Sequence, residues 1–163
     1  MAWLSDDTFR TVVANTPLVS IDLLVRQGGR FLVGLRENRP AQGEWFVPGG
    51  RIQKDESLAD AFARVVRDEL GLALPFASAR FVAVNEHHYP DSIFGEAVST
   101  HYLCLSYLVA MAETQELRAD AQHAALAWRT PAQLQAESTV HPLTVKHLDD
   151  LAARGWLDDP TAS

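Results

Sequence analysis

The sequence predicts an α+β fold in which a mixed β-sheet packs between helices. Three observations predict it: an apolar hairpin turned at Gly28-Gly29, an amphipathic helix from Ser57 to Leu70 that stops at Gly71, and two long strand-like segments followed by proline-started helices. A chain of 163 residues can bury a self-supporting core, so residues 1–163 read as one domain with a tail at 158–163.

The elements follow in order. Ser5 is placed to cap a short helix reaching about Ala14. Pro17 precedes the strand formers Leu18 to Val25, and the glycine pair returns the chain through Arg30 to Leu35. A loop from Glu37 to Glu44 leads to a short strand, Trp45-Phe46-Val47, which Pro48-Gly49-Gly50 is expected to end. The next helix starts at Ser57, with Asp60 at capping-box spacing. Arg80 to Tyr89 and Ser99 to Ala110 read as strands around a polar loop, and Ala124 to Trp128 as another. Thr130-Pro131 and His141-Pro142 open the last two helices, each with proline at the first helical position.

Composition narrows the function. The lone cysteine, Cys104, excludes an internal disulfide and a Cys-x-x-Cys site, and a reducing, cytoplasmic compartment is expected. Residues 1–10 lack the apolar core of a signal peptide, and the most apolar stretch, Tyr102 to Ala112, is too short to span a bilayer, so no membrane role is expected. The net charge of -7 argues against nucleic acid as a partner. Between Arg26 and Lys54, however, six basic residues stand against Glu37 and Glu44, giving +4 locally and -11 elsewhere. Such a stretch is either a solvated face or the site of a small anionic ligand.

One residue breaks the local pattern. With Arg64 at zero on a helical wheel of about 100° per residue, Leu58, Phe62, Val65 and Val66 form an apolar arc centred near 140°, where Glu69 also falls. A carboxylate on a buried face needs a cation partner, and the last turn of a helix disfavours negative charge. Either the helix end frays and releases Glu69 to solvent, or Glu69 serves a site. Glu56 before the helix and Asp68 beside Glu69 add hard oxygen donors suited to Mg²⁺ or Mn²⁺, and such ions suit a diphosphate. Arg64 stands four residues from both Asp60 and Asp68, as a surface pair or as a brace for the carboxylates.

The segment from Gly50 to Leu72 resembles the Nudix box, G-x5-E-x7-R-E-U-x-E-E-x-G-U with U aliphatic. Gly50, Glu56, Arg64, Val66, Glu69, Gly71 and Leu72 match without gaps, and two of nine fixed positions over 23 residues depart, Val65 and Asp68 each standing for a glutamate. A branch in which the first of those glutamates is also aliphatic, GDP-mannose mannosyl hydrolase, is similar over Thr16 to Ser20, Asn38 to Gly43, Trp45 to Arg51, Gln53 to Glu56, Thr100 to Tyr102 and Gln122-His123. The resemblance covers the chain from its first helix to about Trp128 and loosely beyond.

It implies a Nudix-type α/β/α sandwich, a homodimer, and a Mg²⁺-dependent hydrolysis of a nucleotide sugar to GDP and free sugar. It also implies roles: the Gly49 carbonyl, Glu69 and Gln122 would hold the metal, and His123 would be the base. Arg36, Arg51 and Tyr102 would contact the diphosphate, Asp22 and His87 would face the sugar, and Arg64 would orient the metal-site carboxylate. Asp68 has no carboxylate counterpart in that branch, which leaves room for a second metal.

The residue chemistry suits that reaction. A diphosphate held by a cation and arginines leaves without protonation, so one base near neutrality is enough, and a single displacement inverts the anomeric carbon. Each residue also has a plainer reading: His123 as a surface histidine, His87, His88 and His101 as solvated strand residues, and Tyr102 as a sheet aromatic. Asp22 is different, because Ile21 and Leu23 flank it in an apolar strand, where a carboxylate is costly unless a ligand or partner satisfies it. The alternatives to sugar release are a conventional Nudix pyrophosphohydrolase, which Asp68 would serve, and a binding module without turnover.

Overall fold

The computed structural model describes residues 4–114, 117 and 123–159, with the backbone alone at 123 and 124. Helix α1, Asp6–Asn15, begins at Ser5, whose hydroxyl accepts the Thr8 N–H, while Asp6 and Asp7 favour its positive end. Strands β1, Leu18–Gln27, and β2, Arg30–Arg36, meet at Gly28 and Gly29, whose φ of 55° and 75° suit a two-residue hairpin turn. The short β3, Trp45–Phe46, then pairs with β2.

The Pro48-Gly49-Gly50 segment does more than terminate that strand. Gly49–Arg51 forms β4, antiparallel to β1, with Asp22 opposite Gly49 and Ser20 opposite Arg51. A Cβ on Gly49 would lie 2.7 Å from the Ile21 carbonyl oxygen, so glycine is what lets the backbone run this close. Helix α2, Leu58–Leu70, starts where the Ser57 hydroxyl accepts the Asp60 N–H and ends at Gly71 in the left-handed conformation. After a single 3-10 turn at Phe76–Ser78 come β5, Arg80–Tyr89, β6, Thr100–Ala110, and β7, His123–Arg129. Helices α3, Pro131–Ala136, and α4, Pro142–Ala153, follow, the first opened by a capping box between Thr130 and Gln133.

The sheet runs β3-β2-β1-β6-β5, with β4 added to β1 and β7 to β2. It is mixed, because β1 and β6 are parallel while the other pairs are antiparallel. Alternation along β1 sends Ile21, Leu23 and Val25 to one face, where they join Tyr107 and Val109 against Phe62, Val65, Val66 and Leu70 of α2. The opposite face sends Leu24, Leu108 and Val82 to a second core with Leu134 of α3 and Leu148 and Leu151 of α4. These two cores make the expected α/β/α sandwich. Leu58, placed on the buried arc by the wheel, is instead 42% exposed, because it begins the helix and stands at its outer end.

Candidate active site

The face of the sheet turned to α4 changes character along its strands. Leu24 and Leu108 are apolar, but the pairs next to them in the parallel register are Asp22 with Ser106 and Ser20 with Cys104. On β5, Asn85 and His87 continue this strip. All six polar side chains are buried. Ser20 Oγ donates to Cys104 Sγ at 3.0 Å, and that sulfur lies 3.1 Å from His87 Nδ1. Burial outweighs the pull of the Asp22 carboxylate and pushes the His87 imidazole down to about 4, and burial also raises the Cys104 thiol. The plainer reading of His87 as a solvated strand residue therefore fails, whereas His88 on the other face is exposed and stacks on His101 at 4.2 Å. Alternation allows one of these adjacent rings inward, and the register with β6 selects His87.

A cavity of about 210 Å³ opens over this strip. Asp22, Arg36, Gly49, Arg51, Glu69, His87 and Tyr102 all line it, together with Phe46, Tyr89 and Cys104, to which the sequence reading gave no site role. Glu69 is 7% exposed, so the fraying alternative fails: α2 holds to Leu70, and the Gly71 N–H closes its last turn on the Arg67 carbonyl.

The two cavity arginines are held by aromatic rings. Arg51 Cζ sits 4.1 Å from the centre of the Phe9 ring, and Arg36 Cζ 5.8 Å from that of Phe46. Among the described residues neither guanidinium has an ion-pair partner, and burial lowers the Arg51 pKa from its ordinary value. Burial raises the Tyr102 phenol in the same cavity. Two guanidiniums without an ion-pair partner among the described residues, beside a phenol, offer the donors an anion would need. The rest of the basic stretch does not join them. Arg26 donates to the Trp156 carbonyl, Arg39 pairs with Asp91 and Glu96, and Lys54 pairs with Asp55. The local +4 of the sequence is thus divided among β1, β2, β4 and the loops between them, whose side chains reach different surfaces.

Arg64 does not line the cavity. Its Nε and Nη2 donate to the two Glu56 oxygens at 2.7 and 2.8 Å, and Nη2 also donates to the Arg51 carbonyl at 2.8 Å. The fork holds the Glu56 carboxyl below the usual range and braces the end of β4 from behind. Asp68 pairs with Arg67 at 3.0 Å and stands 3.9 Å from Arg64, outside the cavity lining. The room for a second metal at Asp68 therefore finds no support. Gln122 lies outside the described residues, and of His123 the backbone is described: it opens β7 opposite Arg36.

The sequence reading missed His147 altogether. It is 1% exposed on α4, and its Nε2 lies 3.2 Å from Asp22 Oδ2. Its signal was available, since Thr144, His147, Leu148 and Leu151 recur at helical spacing on one buried face, as Glu69 does on α2. The donors at the α2 end of the cavity fit a hard divalent cation: Glu69 is a buried carboxylate, and the Gly49 backbone lies against β1 on the same lining.

The arrangement is an α/β/α protein with a cavity, lined by Arg36 and Arg51, between a glycine turn and the end of a capped helix. Residues 16–151 match the family model described as NUDIX domain, and the chain belongs to the Nudix hydrolase family. It is 40% identical over 148 residues to the low-salt glycan biosynthesis protein Agl8 of Haloferax volcanii, covering 91% of this chain and 90% of that one. It is also 30% identical over 56 residues to the ADP-ribose pyrophosphatase of Methanocaldococcus jannaschii, 34% of this chain and 33% of that protein. Among solved structures it is similar to a MutT Nudix hydrolase from Burkholderia pseudomallei, with a TM-score of 0.68 and 27% identity over 84% of this chain and 99% of that one. A MutT protein from Methanosarcina mazei, with a TM-score of 0.71 and 18% identity over 86% and 97% of the two chains, shows the same fold. Among the described residues no helix is long and apolar enough to cross a membrane.

Proposed function

We propose that the protein hydrolyses a nucleotide sugar of the GDP-mannose class to the nucleoside diphosphate and the free sugar, with water attacking the anomeric carbon. One observation carries the reading: of the described carboxylates and their replacements in the box, Glu69 alone lines the cavity. Val65 is 1% exposed in the α2 core, Glu56 is locked in the Arg64 fork, and Asp68 stands outside. A cavity with one box carboxylate suits charge neutralisation of a leaving diphosphate better than activation of water at phosphorus. The Haloferax relative, named for glycan biosynthesis, supports a sugar-bearing substrate.

In this reading Arg36, Arg51 and Tyr102 grip the diphosphate and take up the charge that develops as the carbon–oxygen bond breaks. Asp22 and His87 face the sugar, His87 as an uncharged imidazole because of its burial. His123, whose backbone stands opposite Arg36, accepts the proton of the attacking water. Arg64 acts through Glu56 and the Arg51 carbonyl, as a positioning residue. Gly49, Glu69 and Gln122 are the proposed holders of Mg²⁺ or Mn²⁺. When bound, that ion would neutralise charge on the diphosphate. Water adds to the anomeric carbon as the diphosphate departs with the bonding pair, so the sugar is released with inverted configuration. Cytoplasmic residence and a homodimer go with this proposal.

Hydrolysis of GDP-mannose with Mg²⁺ in ¹⁸O-labelled water tests it by mass spectrometry. Label in mannose beside unlabelled GDP is expected. Label in GMP or in mannose phosphate means attack at phosphorus and a conventional Nudix pyrophosphohydrolase.

A further inference from the structure

Three polar atoms on the α4 side of the sheet converge. Asp22 Oδ2 on β1, His87 Nε2 on β5 and His147 Nε2 on α4 lie within 4.8 Å of one another, and among the described residues none has a hydrogen-bond partner. The residues that carry them are 5%, 2% and 1% exposed, out of reach of bulk solvent. The approach of His147 Nε2 to Asp22 Oδ2, 3.2 Å, has the distance of a hydrogen bond without its direction. Two atoms bound to one ion at about 2.1 Å, close to a right angle, stand about 3 Å apart, and neither aims at the other.

The far sides of both rings are occupied. His87 Nδ1 lies 3.1 Å from Cys104 Sγ, and His147 Nδ1 lies 3.2 Å from Ser106 Oγ, with Asn85 Nδ2 at 3.4 Å. Hydrogens on the two Nδ1 atoms, given to the sulfur and to the hydroxyl oxygen, turn the lone pairs of both Nε2 atoms toward the carboxylate. Metal-binding histidines are oriented in this way by the partner of the other ring nitrogen.

We propose that Asp22, His87 and His147 form a second metal site, for a divalent first-row transition ion of the zinc class. Two imidazoles and one carboxylate suit such an ion, whereas Mg²⁺ takes oxygen donors. The site therefore differs in chemistry from Gly49, Glu69 and Gln122, proposed above for the diphosphate-bound ion. Its ligands come from β1, β5 and α4, so the ion ties the last helix to the sheet. Asp22 and His87 line the cavity and give the ion its way in. The inference goes beyond the nucleotide-sugar reading and does not depend on it. In that reading the ion lies beneath the sugar.

The probe is cobalt(II), added to the full chain in excess Mg²⁺ and followed by visible absorption and paramagnetic ¹H NMR. One equivalent is expected to bind and to give two hyperfine-shifted ring N–H signals that exchange in D₂O, one from each histidine. No binding, or fewer than two such signals, would overturn the proposal. This readout needs no variant, so it holds even if a substitution prevents folding. His147→Phe is expected to weaken cobalt binding more than about 100-fold, since a lost ligand costs more than a lost supporting partner. Signals that survive His147→Phe and disappear in His88→Ala would place the ion on the stacked pair of His88 and His101, and the proposal would fail. Zn²⁺ alone is expected to raise the Tm of unaltered protein by about 5 °C and to leave that of Asp22→Asn unchanged. An equal rise in both would remove Asp22 from the site. Turnover of GDP-mannose enters none of these readouts, so failure of the nucleotide-sugar reading is seen separately.

Discussion

On the α2 side of β1, Ile21, Leu23 and Val25 meet an apolar helix face, and a buried charge, Glu69, arrives from the end of that helix. On the α4 side the same strand offers Ser20, Asp22 and Leu24, and α4 answers Asp22 with His147 and Leu24 with Leu148 and Leu151. The first face stores stability and supplies the site from its edge. The second gives up part of its core to a floor of buried polar groups under the cavity, in which, among the described residues, Asp22 Oδ2, His87 Nε2 and His147 Nε2 have no hydrogen-bond partner.

The contrast predicts which changes unfold the protein and which disarm it. The largest effect belongs to Phe62→Ala, which removes a fully buried ring from the α2 face and is expected to cost about 3–5 kcal/mol in urea unfolding. A value near zero would mean that this face is not the principal core. Next comes His87. Its folded pKa, near 4, lies below the unfolded value of 6.5, so the folded protein binds fewer protons in that range. Its stability is intact above 6.5 and is lost as pH falls towards 4, by as much as about 3 kcal/mol. His87→Gln should flatten that part of the pH dependence of Tm, and an unchanged slope would place the titration elsewhere.

Glu69→Gln separates the two properties on a single residue. Turnover is expected to fall about 100-fold, the equivalent of about 2.7 kcal/mol, with a smaller loss of Tm than Phe62→Ala gives. Steady-state kinetics at saturating Mg²⁺ beside thermal melts would show it, and retained turnover would remove Glu69 from the site. The smallest effect is expected of Asp68→Asn, whose carboxylate is partly exposed and paired with Arg67. Its kcat/KM should stay within about twofold, because exposed ion pairs contribute little. A large loss would put Asp68 back among the reacting groups and favour chemistry at phosphorus.

Much of this division was legible in the residues. The wheel that put Glu69 among Phe62, Val65 and Val66 already implied a buried carboxylate, and Asp22 between Ile21 and Leu23 implied a second. The same reading applied to α4 would have found His147 beside Leu148 and Leu151, but a histidine is a weaker anomaly on an apolar face than a glutamate. The basic stretch was a coarse guide, holding Arg36 and Arg51, which line the cavity, beside four basic residues that do not, because charge counted along the chain takes no account of which surface each side chain reaches.

By itself the sequence determined the elements and their ends: the glycine hairpin, the Ser57 and Gly71 caps, the proline-started helices, and the box spacing that brings Gly50, Glu56, Arg64 and Glu69 together. These are matters of local geometry and short-range hydrogen bonds, which neighbours in the chain settle. The tertiary structure alone decided that Gly49–Arg51 pairs as a strand with β1, that His87 rather than His88 turns inward, and that α4 brings His147 to Asp22. Each of these depends on register between segments far apart in sequence, where a slip of one residue would reverse every side chain, and no local preference carries that information.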